Sequence, residues 1–216
     1  MKRLAVAVAM GMLVVGCGKK ADEAQDAVSA MAAAAAAAPK LEEGMKEAEQ
    51  FQKDRVAKGD TVAMAYTEIQ KFLPESIDGF TAQGEPGGSQ QAMGGFSMSQ
   101  AEQTWVKDPN AQGLTPEIEV TVIDFGGTQQ GYAMMAAPML MGFSQEDARR
   151  RVGSVKMGVA HTGGWEKFDK ESKNAKITAI TRYRYVITVE ARNSAEDQSA
   201  LVKRVAEAVA RKFEGK

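Results

Sequence analysis

Apolar residues change their spacing at Phe72-Leu73-Pro74, and that change restricts the chain to folds that combine helices with a sheet. Before it, Leu41, Met45, Ala48 and Phe51 recur every three or four residues, and Val62, Tyr66, Ile69 and Leu73 do so again. Such spacing places side chains on one helical face. Gly59-Asp60 separates the two runs, with Asp60 as the expected N-cap of the second and Pro74 as its stop. Beyond Pro74 the period falls to two. Ile118, Val120 and Val122 alternate with Glu119 and Thr121, Ala175, Ile177 and Ala179 repeat the pattern, and Tyr183, Tyr185, Ile187 and Val189 give its strongest instance. A two-residue period describes strands with one face buried and the other toward solvent.

The remaining segments are placed around those strands. Ser76 to Phe96, with Asp78-Gly79, Pro86-Gly87-Gly88 and Gly94-Gly95, reads as turns. Gln100 to Val106 reads as a strand, and Asp124-Phe125-Gly126-Gly127 closes the one that ends at Val122. A helix over Gln129 to Met141 would align Tyr132, Met135 and Met139, with Pro138 bending or ending it. Ser144 is the expected cap of a short helix over Gln145 to Arg151, followed by strands at Ser154 to Val159 and Trp165 to Phe168. Thr181-Arg182 falls in a connection, and Ser194 with Asp197 opens a last helix whose apolar face is Leu201, Val205, Ala208 and Val209. Successive alternating runs favour an antiparallel meander. The expected fold class is α+β: N-terminal helices, then a mainly antiparallel sheet with an internal helix, and a C-terminal covering helix.

Ahead of the helices lies a segment of a different kind. Lys2 and Arg3 precede an apolar run from Leu4 to Val15, and Val14-Val15-Gly16-Cys17 brings small or aliphatic residues up to the chain's one cysteine. The run falls short of the roughly 20 residues that cross a bilayer. This stretch resembles a bacterial lipoprotein signal with its lipobox. The resemblance covers Met1 to Cys17 and implies cleavage before Cys17, a diacylglyceryl group on its sulfur and a further acyl group, such as palmitate, on its amine. Each buried methylene contributes about 0.8 kcal/mol, and two or more chains give stable attachment. Gly18 in place of an aspartate implies, by analogy with Gram-negative lipoproteins, the periplasmic face of the outer membrane. Ala21 to Ala38 is dominated by alanine, the best helix former, and reads as a spacer. The expected organisation is a signal peptide over 1–16, a lipid-anchored alanine-rich spacer over 17–40, a helical region over 41–73 and a mixed sheet-helix domain over 74–216.

Composition excludes several function classes. Loss of residues 1–16 removes the two cations Lys2 and Arg3, taking the formal charge from -1 to -3, with acidic and basic residues intermixed. That is no footprint for nucleic acid. A lone cysteine excludes an internal disulfide framework. His161 is the sole histidine, set among small residues and glycines as in an exposed turn. Without cysteine or histidine partners no compact metal set is evident, and no cofactor is called for: the glycines lack a Walker lysine and a dinucleotide fingerprint. Asp108, Glu117, Asp124 and Asp169 near strand ends are the candidates for paired-carboxylate hydrolysis, with solvation and capping as the simpler roles. Arg149-Arg150-Arg151 reads as a charged helix end, with recognition of phosphate or carboxylate as the alternative. Trp105, Trp165, Tyr183 and Tyr185 suit either a sheet core or a carbohydrate-stacking surface. Tyr132, Met135 and Met139 form the candidate apolar ligand surface, soft enough to line a groove or to fill a core. The sequence thus points to a membrane-tethered, non-enzymatic envelope lipoprotein, its partners being the membrane through covalent lipid and an envelope protein or apolar ligand. An apolar-ligand or lipid-binding protein is the alternative, and an envelope hydrolase a further one.

Overall fold

In the strand β4 (Glu117–Asp124), every second residue is buried, so that Ile118, Val120, Val122 and Asp124 share one face. The computed structural model describes Pro39 and residues 42–94, 96–126 and 144–215. Among these residues nine strands form one antiparallel sheet. They are β1 (Thr81–Ala82), β2 (Gly87–Met93), β3 (Phe96–Val106), β4, β5 (Ser144–Glu146), β6 (Arg150–Lys156), β7 (Thr162–Asp169), β8 (Ala175–Thr181) and β9 (Tyr185–Arg192). Their order is β1-β3-β4-β9-β8-β7-β6-β5, with β2 also paired to β3. Three helices accompany the sheet among the described residues: α1 (42–57), α2 (Tyr66–Gln70) and α3 (Ser199–Arg211). The α+β class is that expected. The internal helix over 129–141 lies outside the described residues.

Helices occupy both faces of the sheet. The main core joins Ile118, Val120, Val122, Ile187 and Val189 to Ile69 of α2 and to Val202, Val205 and Val209 of α3. The buried face of α3 is Val202, Val205, Ala206, Val209 and Ala210. Ala208, expected on it, is exposed, because the helix is rotated toward Val202 and Ala206 as it crosses β8 and β9. Residues of opposite parity, Ile123, Ile180 and Val186, form a smaller cluster with Ala48 of α1, flanked by Phe125 and Tyr183. Because Ile123 pairs with Val186 and Val122 with Ile187, α1 lies on the face away from α2 and α3.

Several expectations are corrected. Asp60 does not cap α2, which begins at Tyr66 without a side-chain cap; Asp60 is drawn to an arginine described below. The glycine-rich passage contains β1 and β2, and β3 starts at Phe96 rather than at residue 100. Glycine is required at position 88, where an added Cβ would lie 2.5 Å from a ring carbon of Tyr66. Residues 145–151 form a strand pair, β5 and β6, not a helix. The turn between them is built by Asp147 Oδ1, which accepts the N–H groups of Arg149 and Arg150 at 2.8 and 2.9 Å. An aspartate that accepts such local bonds competes with helix formation. Tyr183, expected in a strand, sits in the β8–β9 turn.

Phe213, fully buried just past α3, stacks on Phe72 and on Tyr185 with ring centroids 4.2 Å apart in each pair. Lys212 Nζ donates to Leu73 O at 2.8 Å beside it. This junction joins the ends of α2 and α3 to the sheet. Phe213→Ala should therefore destabilise the protein by about 3–5 kcal/mol in urea unfolding, the usual range for a fully buried phenylalanine; a loss below about 1 kcal/mol would contradict the packing described.

Candidate functional site

The buried face of β3 and β4 becomes polar at one end, where Ser97, Ser99 and Asp124 replace apolar residues. Asp124 is fully inaccessible. Its charge is met by Arg184, which the β8–β9 hairpin delivers: Arg182 and Tyr183 have φ of 52° and 55°, and the Arg184 N–H donates to Thr181 O at 3.2 Å. Positive φ at both central residues is the sense that a tight hairpin turn needs. Arg184 Nε and Nη2 donate to Asp124 Oδ1 and Oδ2 at 2.6 and 2.8 Å, a bidentate pair. Its Nη1 donates to Asp60 Oδ2 at 2.6 Å, and Nη2 also to Val62 O at 3.0 Å. Asp124 accepts the backbone N–H of Met64 at 2.7 Å and that of Gly126 at 2.8 Å. The turn role expected for Asp124 is thus present, with a buried ion pair added to it.

The backbone is drawn tightly around these charges. The Ala63 N–H donates to Ser97 Oγ at 2.7 Å, and Ser99 Oγ donates to Met64 O. Gly126 has φ of 58°, and an added Cβ would lie 2.5 Å from Ser97 Oγ and 3.0 Å from Ala63 N. The segment 58–65 therefore leaves α1 on one face, passes the sheet's polar end bonded to Arg184, Asp124 and the two serines, and enters α2 on the other face. Burial opposes the charge of Arg184 most strongly. The hydrogen bonds and charge of Asp124, with the bond to Asp60, outweigh it and hold the guanidinium pKa above its usual value. Arg55, which donates Nη1 to Gly126 O at 2.9 Å, is pushed the other way by burial and by the charge of Arg184.

A second cluster fastens α1. Glu47 lies with Oε1 2.7 Å from His161 Nδ1 and accepts the Tyr183 hydroxyl at Oε2. Phe51 sits 5.1 Å from the His161 ring and 5.2 Å from that of Tyr183, with the Arg182 guanidinium 5.3 Å from its centroid. Between the end of α1 and the hairpin lies a crevice of about 130 Å³, lined by Phe51, Asp54, Arg55, Lys58, Asp60, Arg182, Arg184 and Tyr185. Shallower grooves lie elsewhere among the described residues. One of about 420 Å³ runs beside Trp105, and one of about 490 Å³ beside Asp108 and Leu201.

The residues that the sequence offered for chemistry are dispersed. His161 is in a turn, as expected, and holds Glu47. Glu117 lies 3.4 Å from Arg192 where β4 begins and β9 ends, and Asp169 Oδ1 accepts the N–H groups of Glu171 and Ser172. Arg149-Arg150-Arg151 is no helix end: Arg150 pairs with Asp147, and Arg151 lies 2.7 Å from Glu166 and stacks on Phe168. Trp105 and Tyr185 are buried in the core. Cys17, Tyr132, Met135 and Met139 lie outside the described residues. Among the described residues no group of three or more His, Cys, Asp or Glu side chains could hold a metal ion, and no helix is long and apolar enough to cross a membrane. Arg184, Arg55 and Glu47 were missed by sequence reading. One signal was available for the first: Asp124 continues the buried parity of Ile118, Val120 and Val122, and a carboxylate there demands a cation.

These features define an α+β domain in which one antiparallel sheet is clasped on both faces and pinned by a buried ion pair. No family model matches the chain, and no curated protein does so. Among solved structures it is similar to the extracellular domain of PknH from Mycobacterium tuberculosis, at 10% identity and a TM-score of 0.43, over 72% of this chain and 100% of that one. The likeness is too remote to carry a site residue or an activity across.

Two outcomes follow from the polar cluster. Asp124→Ala would leave the Arg184 charge buried with half its partners gone, and should cost about 3–5 kcal/mol in denaturant unfolding. Adding Arg184→Met should return part of that loss, a non-additivity that a double-mutant cycle measures. Burial pushes the Tyr185 phenol from 10.0 up to about 12. With the folded value raised, Tyr185 contributes its full share below pH 10 and loses it as pH rises through about 12. The difference corresponds to about 2–3 kcal/mol. Tyr185→Phe should flatten the alkaline limb of the stability curve by roughly that amount, and an unchanged limb would show the phenol titrating normally.

Proposed function

We propose that the chain is a cell-envelope lipoprotein, held to the membrane by acyl groups on Cys17, whose domain is a non-enzymatic binding or accessory module. The observation that carries the reading of the domain is the commitment of its polar groups to architecture. Asp124 accepts four hydrogen bonds from Arg184, Met64 and Gly126, and His161 is engaged by Glu47. Asp169 closes its own turn. Three of the groups that could have served as an acid, base or orienter thus have structural partners, which weighs against an envelope hydrolase.

Attachment rests on the sequence: the positive start, the apolar run and the lipobox ending at Cys17. From Gly18 to Leu41 there are 24 residues between the proposed anchor and α1. A tether of that length would hold the domain close to other envelope components and raise its effective concentration toward them. With Gly18 following the anchor, the periplasmic face of the outer membrane is the proposed location.

The anchor is tested by the intact mass of protein extracted from membranes. The expected species begins at Cys17 and carries three acyl chains, and Cys17→Ser should abolish that species. A mature chain with a free Cys17 thiol would sink the tether.

A further inference from the structure

The crevice between α1 and the β8–β9 hairpin is lined by more cations than carboxylates. Four cationic side chains line it, with Asp54 and Asp60 as the carboxylates. Asp60 and the buried Asp124 both pair with Arg184, and their charges also act on Arg55. Arg55, Lys58 and Arg182 are left with no carboxylate in ion-pair contact among the described residues, while Asp54 accepts from Gln50 at 2.8 Å. Arg55 is held half-buried by one bond, Nη1 to Gly126 O, and its Nε is a buried donor with no partner. Arg182 rests on the Phe51 ring. Two of the last carbonyls of α1 are covered by local N–H groups. The N–H groups of Lys58 and Asp60 cover Arg55 O at 3.0 and 2.9 Å, and that of Gly59 covers Val56 O at 3.0 Å.

Part of this arrangement serves the fold: Arg55 bonds to Gly126 O and Arg182 rests on Phe51. Arg184 pairs with Asp124 and Asp60, and α1 meets the sheet through Ala48, Glu47, Phe51 and Arg55. Two guanidinium groups and an ammonium, lining one crevice from the helix end and the hairpin, offer the chemistry that a tetrahedral oxyanion takes: guanidinium forks bind phosphate oxygens in pairs, and lysine adds a point charge. A space of about 130 Å³ admits one such group and little more. We propose that this crevice binds a phosphate group through Arg55, Lys58 and Arg182. The group would be carried by inorganic phosphate or a phosphate monoester, or by the headgroup of an anionic lipid. The site does not depend on the lipid anchor.

Lys58 is exposed and serves as the reporter. The full chain in dodecyl maltoside micelles is titrated with inorganic phosphate at constant ionic strength, and the acetylation rate of Lys58 is read by peptide mass spectrometry against Lys107. Saturable protection is expected, reaching about tenfold when phosphate exceeds its Kd about tenfold. Arg182→Gln changes a half-exposed side chain and should raise the phosphate concentration needed for this protection at least about tenfold, as should Arg55→Gln. A parallel arm replaces phosphate with phosphatidylglycerol in the micelles. Protection by phosphate alone identifies a soluble phosphate ligand, and protection by the lipid identifies a headgroup at the same residues. Absence of protection in both arms, or protection that survives Arg182→Gln, overturns the proposal.

Discussion

The bidentate pairing of Arg184 with Asp124 is the contact on which the arrangement of the other elements turns. Both groups sit where water cannot reach, so each requires the other: an isolated buried charge costs far more than a paired and hydrogen-bonded one. Because the pair also draws in Asp60, Val62 O and the Met64 N–H, it fixes the path of segment 58–65 around the end of the sheet. That path decides which face α1 occupies and which α2. An apolar core would hold the sheet against α3 equally well, but it lacks the directionality to place an irregular connector. Hydrogen bonds supply that directionality, and a fully satisfied polar network supplies it cooperatively.

The sheet itself follows from simpler physics. Alternation in β4, β8 and β9 was readable because their two faces meet different surroundings, and the covering helix was readable from its valines. β2 gave no such signal. All seven of its residues are exposed, so nothing in Gly87 to Met93 alternates, and its pairing with β3 is a backbone matter that side-chain patterning does not report. The arginines of 149–151 suggested a helix end because a charge run says nothing about backbone path. The Asp147 side chain, by capturing two N–H groups, decided for a turn. Asp60 was recognised as a residue with a local role, yet its partner lies 124 positions away.

The candidate site shows the same division. Asp124 and His161 drew notice from sequence as isolated groups, and both proved to be halves of contacts whose other halves, Arg184 and Glu47, carry no sequence signature. Long-range pairing of charges cannot be read from spacing, because spacing encodes only neighbours on one element. What could be read was parity: a carboxylate at the fourth position of a buried stripe implies a hidden cation. Which of the many arginines supplies it depends on the hairpin register, which places Thr181 opposite Tyr185 and so sets Arg184 at the sheet's end.

That hairpin carries a consequence for how the chain can change. Its two central positions hold an arginine and a tyrosine in left-handed geometry, a conformation that glycine adopts without steric cost and other residues adopt at roughly 1 kcal/mol each. A chain selected for hairpin stability alone would drift toward Asn-Gly there. Retaining Arg182 and Tyr183 keeps a guanidinium over Phe51 and a hydroxyl on Glu47, so the turn trades its own ease of closure for a grip on α1. Replacement of these two residues by Asn-Gly would therefore separate two properties now joined in one loop: a hairpin that closes more readily, and a first helix no longer held to the sheet by it.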